Sequence, residues 1–201
     1  MRLTKLLFIL LFFSLLTSCA TVSEQSQLAQ NDNMSWDARV KALSQIKNWN
    51  LKGSMGIRQA SNAVTANIVW QQQQQNYHIS LFGPLGTYSY ELTGRPGSVD
   101  LAAADGRHFH ASTPEALLAE QAGWQLPVSN LYYWVRGLPV PNMPAQKQLD
   151  GYNHLTVLNQ QGWTIRYLRY TSTNGMDLPS KIFLENPQLN VKIVISQWQI
   201  N

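Results

Sequence analysis

From residue 49 onward the apolar residues recur at every second position, and this period confines most of the chain to β-structure. Trp49, Leu51, Gly53, Met55 and Ile57 alternate with polar or small residues, and so do Val64, Ala66, Ile68 and Trp70. Tyr77, Ile79 and Leu81 continue the pattern, followed by Tyr88, Tyr90 and Leu92 and by Val99 and Leu101. Turn-forming residues separate these runs: Ala60-Ser61-Asn62, the glutamine run 71–75, Gly83-Pro84, Gly94-Arg95-Pro96-Gly97 and Asp105-Gly106. The spacing predicts a meander of short antiparallel strands. Further strands are expected at 152–158, 163–170, 180–185 and 191–200.

Helical spacing appears in three places. Ser35 is a candidate N-cap, with Trp36, Val40, Leu43 and Lys47 on one face and Ile46 beside them. Ser112-Thr113-Pro114-Glu115 offers an N-cap, a first-turn proline and a capping-box glutamate for a helix that stops near Gly123. A short helix is expected at 128–136, before Gly137-Leu138-Pro139. The predicted order is one helix, many strands, a helical insert and more strands.

The first 18 residues stand apart from this domain. Arg2 and Lys5 precede an apolar run at 6–16 broken only by Ser14. A bilayer-spanning helix needs about 20 residues, so the run suits a secretory signal peptide instead. It ends in Leu16-Thr17-Ser18-Cys19, which resembles the lipobox of bacterial lipoproteins. That resemblance implies acylation of Cys19, the chain's only cysteine, and cleavage after Ser18. Ala20, with no aspartate after the cysteine, implies outer-membrane sorting. Residues 1–18 are thus read as signal peptide, 19–34 as a polar lipid-anchored tether and 35–201 as the folded domain. Without Arg2 and Lys5 the formal charge falls from +4 to +2. That charge and the absence of a basic run or basic-aromatic stripe give no support for nucleic-acid binding.

Chemistry-bearing residues are sparse. The histidines are His78, His108, His110 and His154. His108 and His110 share a strand face, but with no cysteine or carboxylate cluster they are expected to face solvent, and no metal or cofactor is expected. Neither a G-x-S-x-G elbow nor a G-x-x-x-x-G-K-[ST] loop is present, so a lipase or an ATPase has no motif to stand on. Asp105 and Glu115 read as turn and helix-cap residues. The chain is rich instead in aromatics, with 7 Trp and 8 Tyr. Trp70, Trp163 and Trp198 fall at inward positions of strands, and Trp134 lies on the insert beside Leu131 and Val135. Inside a curved sheet these rings offer broad apolar walls to alkyl chains; plain core packing is the alternative. Leu85 sits among Gly83, Pro84 and Gly86, where turns normally carry polar residues. It is either folded onto the core or an apolar tip for a membrane or acyl chain.

The lipobox, the early helix, Trp70 before the glutamines, Gly83-Pro84-Leu85-Gly86, Arg95-Pro96-Gly97, Trp134-Val135-Arg136-Gly137-Leu138-Pro139, Gly162-Trp163, Leu178-Pro179 and Trp198 occur in one order. In that order they resemble the LolB family of outer-membrane lipoprotein receptors, over essentially all of the chain after the tether. The resemblance implies a mainly β fold: an open, strongly curved antiparallel half-barrel of about eleven strands, with helices plugging a hydrophobic cavity. It implies a receptor that takes triacylated lipoproteins from a LolA-like periplasmic carrier and inserts them into the inner leaflet of the outer membrane. In that reading Trp70, Trp134, Trp163 and Trp198 line the acyl-chain cavity, and Gly83, Pro84, Leu85 and Gly86 form the membrane-insertion loop. Acyl chains and outer-membrane phospholipid are the expected partners of a monomer. The competing class is a structural or assembly lipoprotein that grips proteins instead of lipids. The glutamine run and the 146–153 loop have no counterpart in the resemblance.

Overall fold

The alternating segments pair in sequence order, and the last strand returns to the first. The computed structural model describes residues 34–60, 62–87 and 89–201; the signal peptide, Cys19 and the tether up to residue 33 lie outside them, as do Ser61 and Tyr88. After α1 (Trp36–Gln45) come β1 (Asn48–Gln59), β2 (Asn62–Gln73), β3 (Asn76–Phe82), β4 (Ser89–Arg95), β5 (Ser98–Ala103) and β6 (His108–Ala111). The insert holds α2 (Pro114–Ala122) and α3 (Val128–Trp134). Then follow β7 (Gln146–Leu149), β8 (Leu155–Gln160), β9 (Trp163–Thr173), β10 (Met176–Glu185) and β11 (Asn190–Ile200). They form one 11-stranded sheet in the order β6-β5-β4-β3-β2-β1-β11-β10-β9-β8-β7. The pairing of β1 with β11 joins the two meanders, and β6 and β7 are open edges.

Register shifts between Lys52 and Gly53, around Lys181 and between Gln148 and Leu149 interrupt the ladders. Such bulges bend a strand and increase local twist, which curves the sheet. The insert joins the two edges and places Leu117, Leu131 and Trp134 in the same core as Leu51, Ile68, Ile165, Ile182 and Ile193. Because the strands are antiparallel, their connections fall at two ends. Residues 74–75, 96–97 and 174–175 lie at one end, with Lys47 and Asn201. Residues 60, 83–87 and 161–162 lie at the other.

Local chemistry sets the helix boundaries. Ser35 Oγ accepts the Ala38 N–H at 3.3 Å and starts α1. Thr113 Oγ1 accepts the Ala116 N–H at 3.2 Å and starts α2, which ends at Gly123 in the left-handed region with φ 68°. Glu115 does not close a capping box. It reaches the next helix and accepts the Ser129 N–H at 2.7 Å.

Three expectations need correction. The 146–153 segment is not wholly loop: its first half is β7, an edge strand whose Gln146, Lys147 and Gln148 are exposed. An edge strand facing water on both sides has no apolar alternation to betray it. The strand expected at 152–158 begins at Leu155, after a turn through 151–153. The strand expected from residue 180 begins at Met176 and contains Pro179, whose missing N–H falls before the β10–β11 ladder starts at Lys181.

Candidate functional site

A cleft of about 1190 Å³ opens at the end of the sheet that carries the 74–75 and 96–97 turns. It lies between that end of β2–β5 and the helices. Trp70, Val99, Val128 and Leu138 give it apolar surface, and Tyr77, Tyr132 and Tyr133 give it aromatic surface with polar edges. The volume slightly exceeds the roughly 300–1,000 Å³ of ordinary small-molecule pockets.

The four tryptophans singled out in the sequence do not share one wall. Trp70 lines the cleft, and its indole N–H donates to Gln72 Oε1 at 3.0 Å. Gln72, from the glutamine run, is itself buried and donates to Gln74 O at 2.9 Å. Behind Trp70 lie Trp49, with ring centroids 5.1 Å apart, and Trp198, 5.4 Å from Trp49. Trp198 donates to Pro179 O at 2.8 Å, giving that carbonyl a partner where the ladder has not begun. Trp134 and Trp163 pair 6.2 Å apart in the other half of the core. The Trp134 N–H donates to Gln160 Oε1 at 3.0 Å, and Gln160 also holds both the N–H and the carbonyl of Val140. All four indoles are buried, but of the four only Trp70 borders the cleft.

Trp49 was not singled out, yet it is the hub of the cluster, stacked under Tyr132 at 6.3 Å. Its indole N–H is buried without a partner. Its place as the first inward residue of β1 was the only signal.

Arg136 fixes the helical side of the cleft. It is 1 % exposed and lines the cleft. Nε donates to Tyr132 O at 2.9 Å, and Nη1 donates to Ile46 O at 2.7 Å and Leu43 O at 3.3 Å. These last two are carbonyls at the C-terminal end of α1, where a helix presents partial negative charge; Leu43 O also accepts the Ile46 N–H at 3.2 Å. The guanidinium lies 4.0 Å over the Tyr132 ring. Burial lowers its pKa from the ordinary range, opposed by the tyrosines beside it and the bond to Tyr132. Among the described residues its other terminal nitrogen, Nη2, has no hydrogen-bond partner. Across the cleft, the Tyr77 ring lies against Gly94, where an added methyl would stand 2.0 Å from Cζ. Burial, then the nearby Glu115, pushes the Tyr77 hydroxyl well above its usual range.

The 83–86 segment lies elsewhere. Pro84–Gly86 is a single 3-10 turn joining β3 to β4, with Gly83 buried and Pro84 and Gly86 exposed. It caps the end of β3 opposite the cleft, about 20 Å away along seven residues of strand. Nearby Phe82 and Tyr90 are among the large apolar side chains left exposed.

Of the histidines expected at the surface, His108 and His110 are exposed and His78 is partly so, paired with Glu91 at 2.6 Å. His154 is not: it is buried between Asp177 and Asp150 and stacks on Tyr170 at 4.5 Å. It is one position before the inward Leu155, so alternation points it outward; the preceding turn carries it inward. Among the described residues no helix is long and apolar enough to cross a membrane.

The family described as "Outer membrane lipoprotein LolB" matches residues 47–198. An outer-membrane lipoprotein LolB of Pseudomonas putida is 42 % identical over 187 residues, covering 92 % of this chain and 91 % of that protein. A protein of the same name from Coxiella burnetii is 42 % identical over 186 residues, covering 92 % and 88 %. Among solved structures, a LolA superfamily protein from Nitrosomonas europaea superposes with a TM-score of 0.55 at 7 % identity, covering 84 % of this chain and 94 % of that one. A putative outer membrane lipoprotein-sorting protein domain from Vibrio parahaemolyticus gives 0.53 at 8 %, covering 83 % and 91 %. At such identities these two structures speak for the fold alone. The match over residues 47–198 and the 42 % identity to proteins covering nearly the same span place this chain in the outer membrane lipoprotein LolB family.

Proposed function

We propose that this chain is the outer-membrane receptor that accepts triacylated lipoproteins from a LolA-like periplasmic carrier and releases them into the inner leaflet without nucleotide hydrolysis. The observation that carries the reading is the aromatic-walled cleft between sheet and helices, in a chain of this family. Its role is transfer, not catalysis. It acts as a monomer, held by acyl chains on Cys19 after cleavage behind Ser18, with residues 19–34 as tether.

Burial of acyl chains is worth about 0.8 kcal/mol per methylene, so three chains together represent tens of kcal/mol. Cargo therefore passes only between apolar environments, down a ladder of affinities from carrier to receptor to bilayer. Trp70 meets the acyl chains first, at the cleft wall. Trp134, Trp163 and Trp198 contact them only when the helices lift from the sheet, so cargo replaces side-chain packing already present. That cost keeps the affinity below that of the bilayer. The Gly83-Pro84-Leu85-Gly86 turn, at the opposite end of β3 and β4, carries the leucine that touches outer-membrane phospholipid. Loading and release then occur at opposite ends of the sheet.

The test is transfer of a triacylated lipoprotein from purified carrier to this protein and onward to vesicles, with mass spectrometry of co-purified material. Acyl chains or lipoproteins retained and passed on support the reading. A stable protein partner with no lipid and no transfer overturns it in favour of a scaffold.

A further inference from the structure

The cleft is more than an apolar slot, because its charged side chains are all of one sign. Lys47, Arg95 and Arg136 line it, and among the described residues no Asp or Glu side chain does. Lys47 and Arg95 are exposed at the rim, and among the described residues neither has a carboxylate partner. Arg136 is different in kind: a buried cation on the cleft lining, held by three backbone carbonyls through Nε and Nη1, with no partner for Nη2 among the described residues. Thr113 and Pro114 bring the N-terminal end of the nine-residue α2 to the same lining, adding the positive end of its dipole. Glu115 sits nearby but is engaged by the Ser129 N–H. Even with a terminal carboxylate on Asn201 at the rim, the lining stays net positive.

We propose that the cleft binds a phospholipid, its phosphate held by Arg136 Nη2 with Lys47 and Arg95, and its acyl chains laid against Trp70, Val99 and Leu138. This rests on the receptor reading for the apolar part of the cleft and goes beyond it for the head group. At its lipidated cysteine a triacylated cargo presents neutral esters and amides, so its lipid part offers these three cations no charge to meet. A phosphodiester does, and guanidinium matches its geometry. The emptied receptor then holds a lipid from the surrounding bilayer, which keeps water off the apolar wall between deliveries, and incoming cargo displaces it.

The experiment uses the full-length lipidated protein in a neutral detergent. It compares retention of phosphatidylglycerol, of a diacylglycerol with the same chains and of inorganic phosphate by native mass spectrometry. A triacylated lipopeptide serves as cargo control. Phosphatidylglycerol is retained at least about tenfold better than diacylglycerol, since only its phosphodiester offers the three cations a charge to meet. Lys47→Gln with Arg95→Gln, both at exposed positions, removes most of that preference and leaves lipopeptide binding intact. Arg136→Gln lowers phosphatidylglycerol retention further, interpreted only if its circular dichroism matches wild type. Equal retention of the two lipids, or a preference unchanged in the rim double variant, overturns the proposal. Retention of inorganic phosphate without phosphatidylglycerol assigns the cations to a free anion and also overturns it. Lipopeptide binding without any phospholipid preference sinks this proposal alone; no binding of either sinks the receptor reading with it.

Discussion

His154 Nε2 lies 3.0 Å from Asp177 Oδ2, and both side chains are about 1 % exposed. The Nδ1 of the same ring faces Asp150 Oδ2 at 3.1 Å. The ring thereby ties the turn before β8 to the start of β10. The neighbouring Tyr152 carbonyl accepts from Arg39 of α1 at 3.1 Å. His154→Ala leaves the Asp177 carboxylate buried with neither oxygen bonded, because its Oδ1 already lacks a partner. Leaving a buried polar group without its hydrogen-bond partner costs about 1–3 kcal/mol. Urea denaturation is expected to show a loss of that order for His154→Ala, against less than about 0.5 kcal/mol for His108→Ala.

Asp150 gives a pH signature. Burial pushes its carboxyl up, but the N–H groups of His154 and Tyr152 outweigh this and hold it below the usual range. A carboxyl lowered on folding contributes stability above its unfolded value of about 3.9, and that stability is lost as the pH falls through the folded value. Asp150→Asn is therefore less stable than wild type from pH 7 down to about 4, with the gap closing below that. A gap that stays constant to pH 2 contradicts the assignment.

Arg136 closes α1 by holding the carbonyls of Leu43 and Ile46. Hydrogen bonds involving a charged group are worth about 1.5–3 kcal/mol. Arg136→Ala is expected to destabilise by about 3 kcal/mol and to raise amide hydrogen exchange at the end of α1. Arg136→Lys recovers only part of this, since an ammonium on a flexible stem does not reproduce the fork that meets three carbonyls.

Position in the cleft separates the tryptophans. Trp70→Phe is expected to remove most of the fluorescence change on adding an acylated probe, because Trp70 borders the cleft. Trp163→Phe is expected to retain most of it. The reverse result places the acyl chains in the other half of the core.

The proposed function predicts that the 83–86 turn serves delivery and not binding. Leu85→Glu is expected to leave cargo uptake unchanged. Insertion into vesicles is expected to fall at least tenfold, since a carboxylate at a membrane surface replaces an apolar contact. Normal insertion by this variant removes the turn from the delivery step.

Much of the sheet was legible because alternation is a local property. Trp49, Leu51, Met55 and Ile57 keep one parity and all are buried. β7 was not legible, because an edge strand of exposed polar residues carries no such code. The site was legible only in part. Tryptophans can be counted in a sequence, but which of them borders empty space depends on what packs behind each one, and only Trp70 of the chosen four does so.

The sequence alone determined the meander, the helix start at Ser35, the stop at Gly123 and the family, since caps, turns and period-two runs act over a few residues. The tertiary structure decided matters of phase and distance. Val191, Ile193 and Ile195 face inward, and the Trp198 expected inward is out of phase with them, since simple alternation would send Gln197 in next. The register shift opposite Lys52 and Gly53 turns Trp198 inward instead. In the same way Arg136 meets carbonyls 90 and 93 residues away, and His154 meets Asp177 across two strands. A bulge, a buried cation and a buried histidine–aspartate contact are settled by what the rest of the chain brings alongside, and no local pattern encodes that.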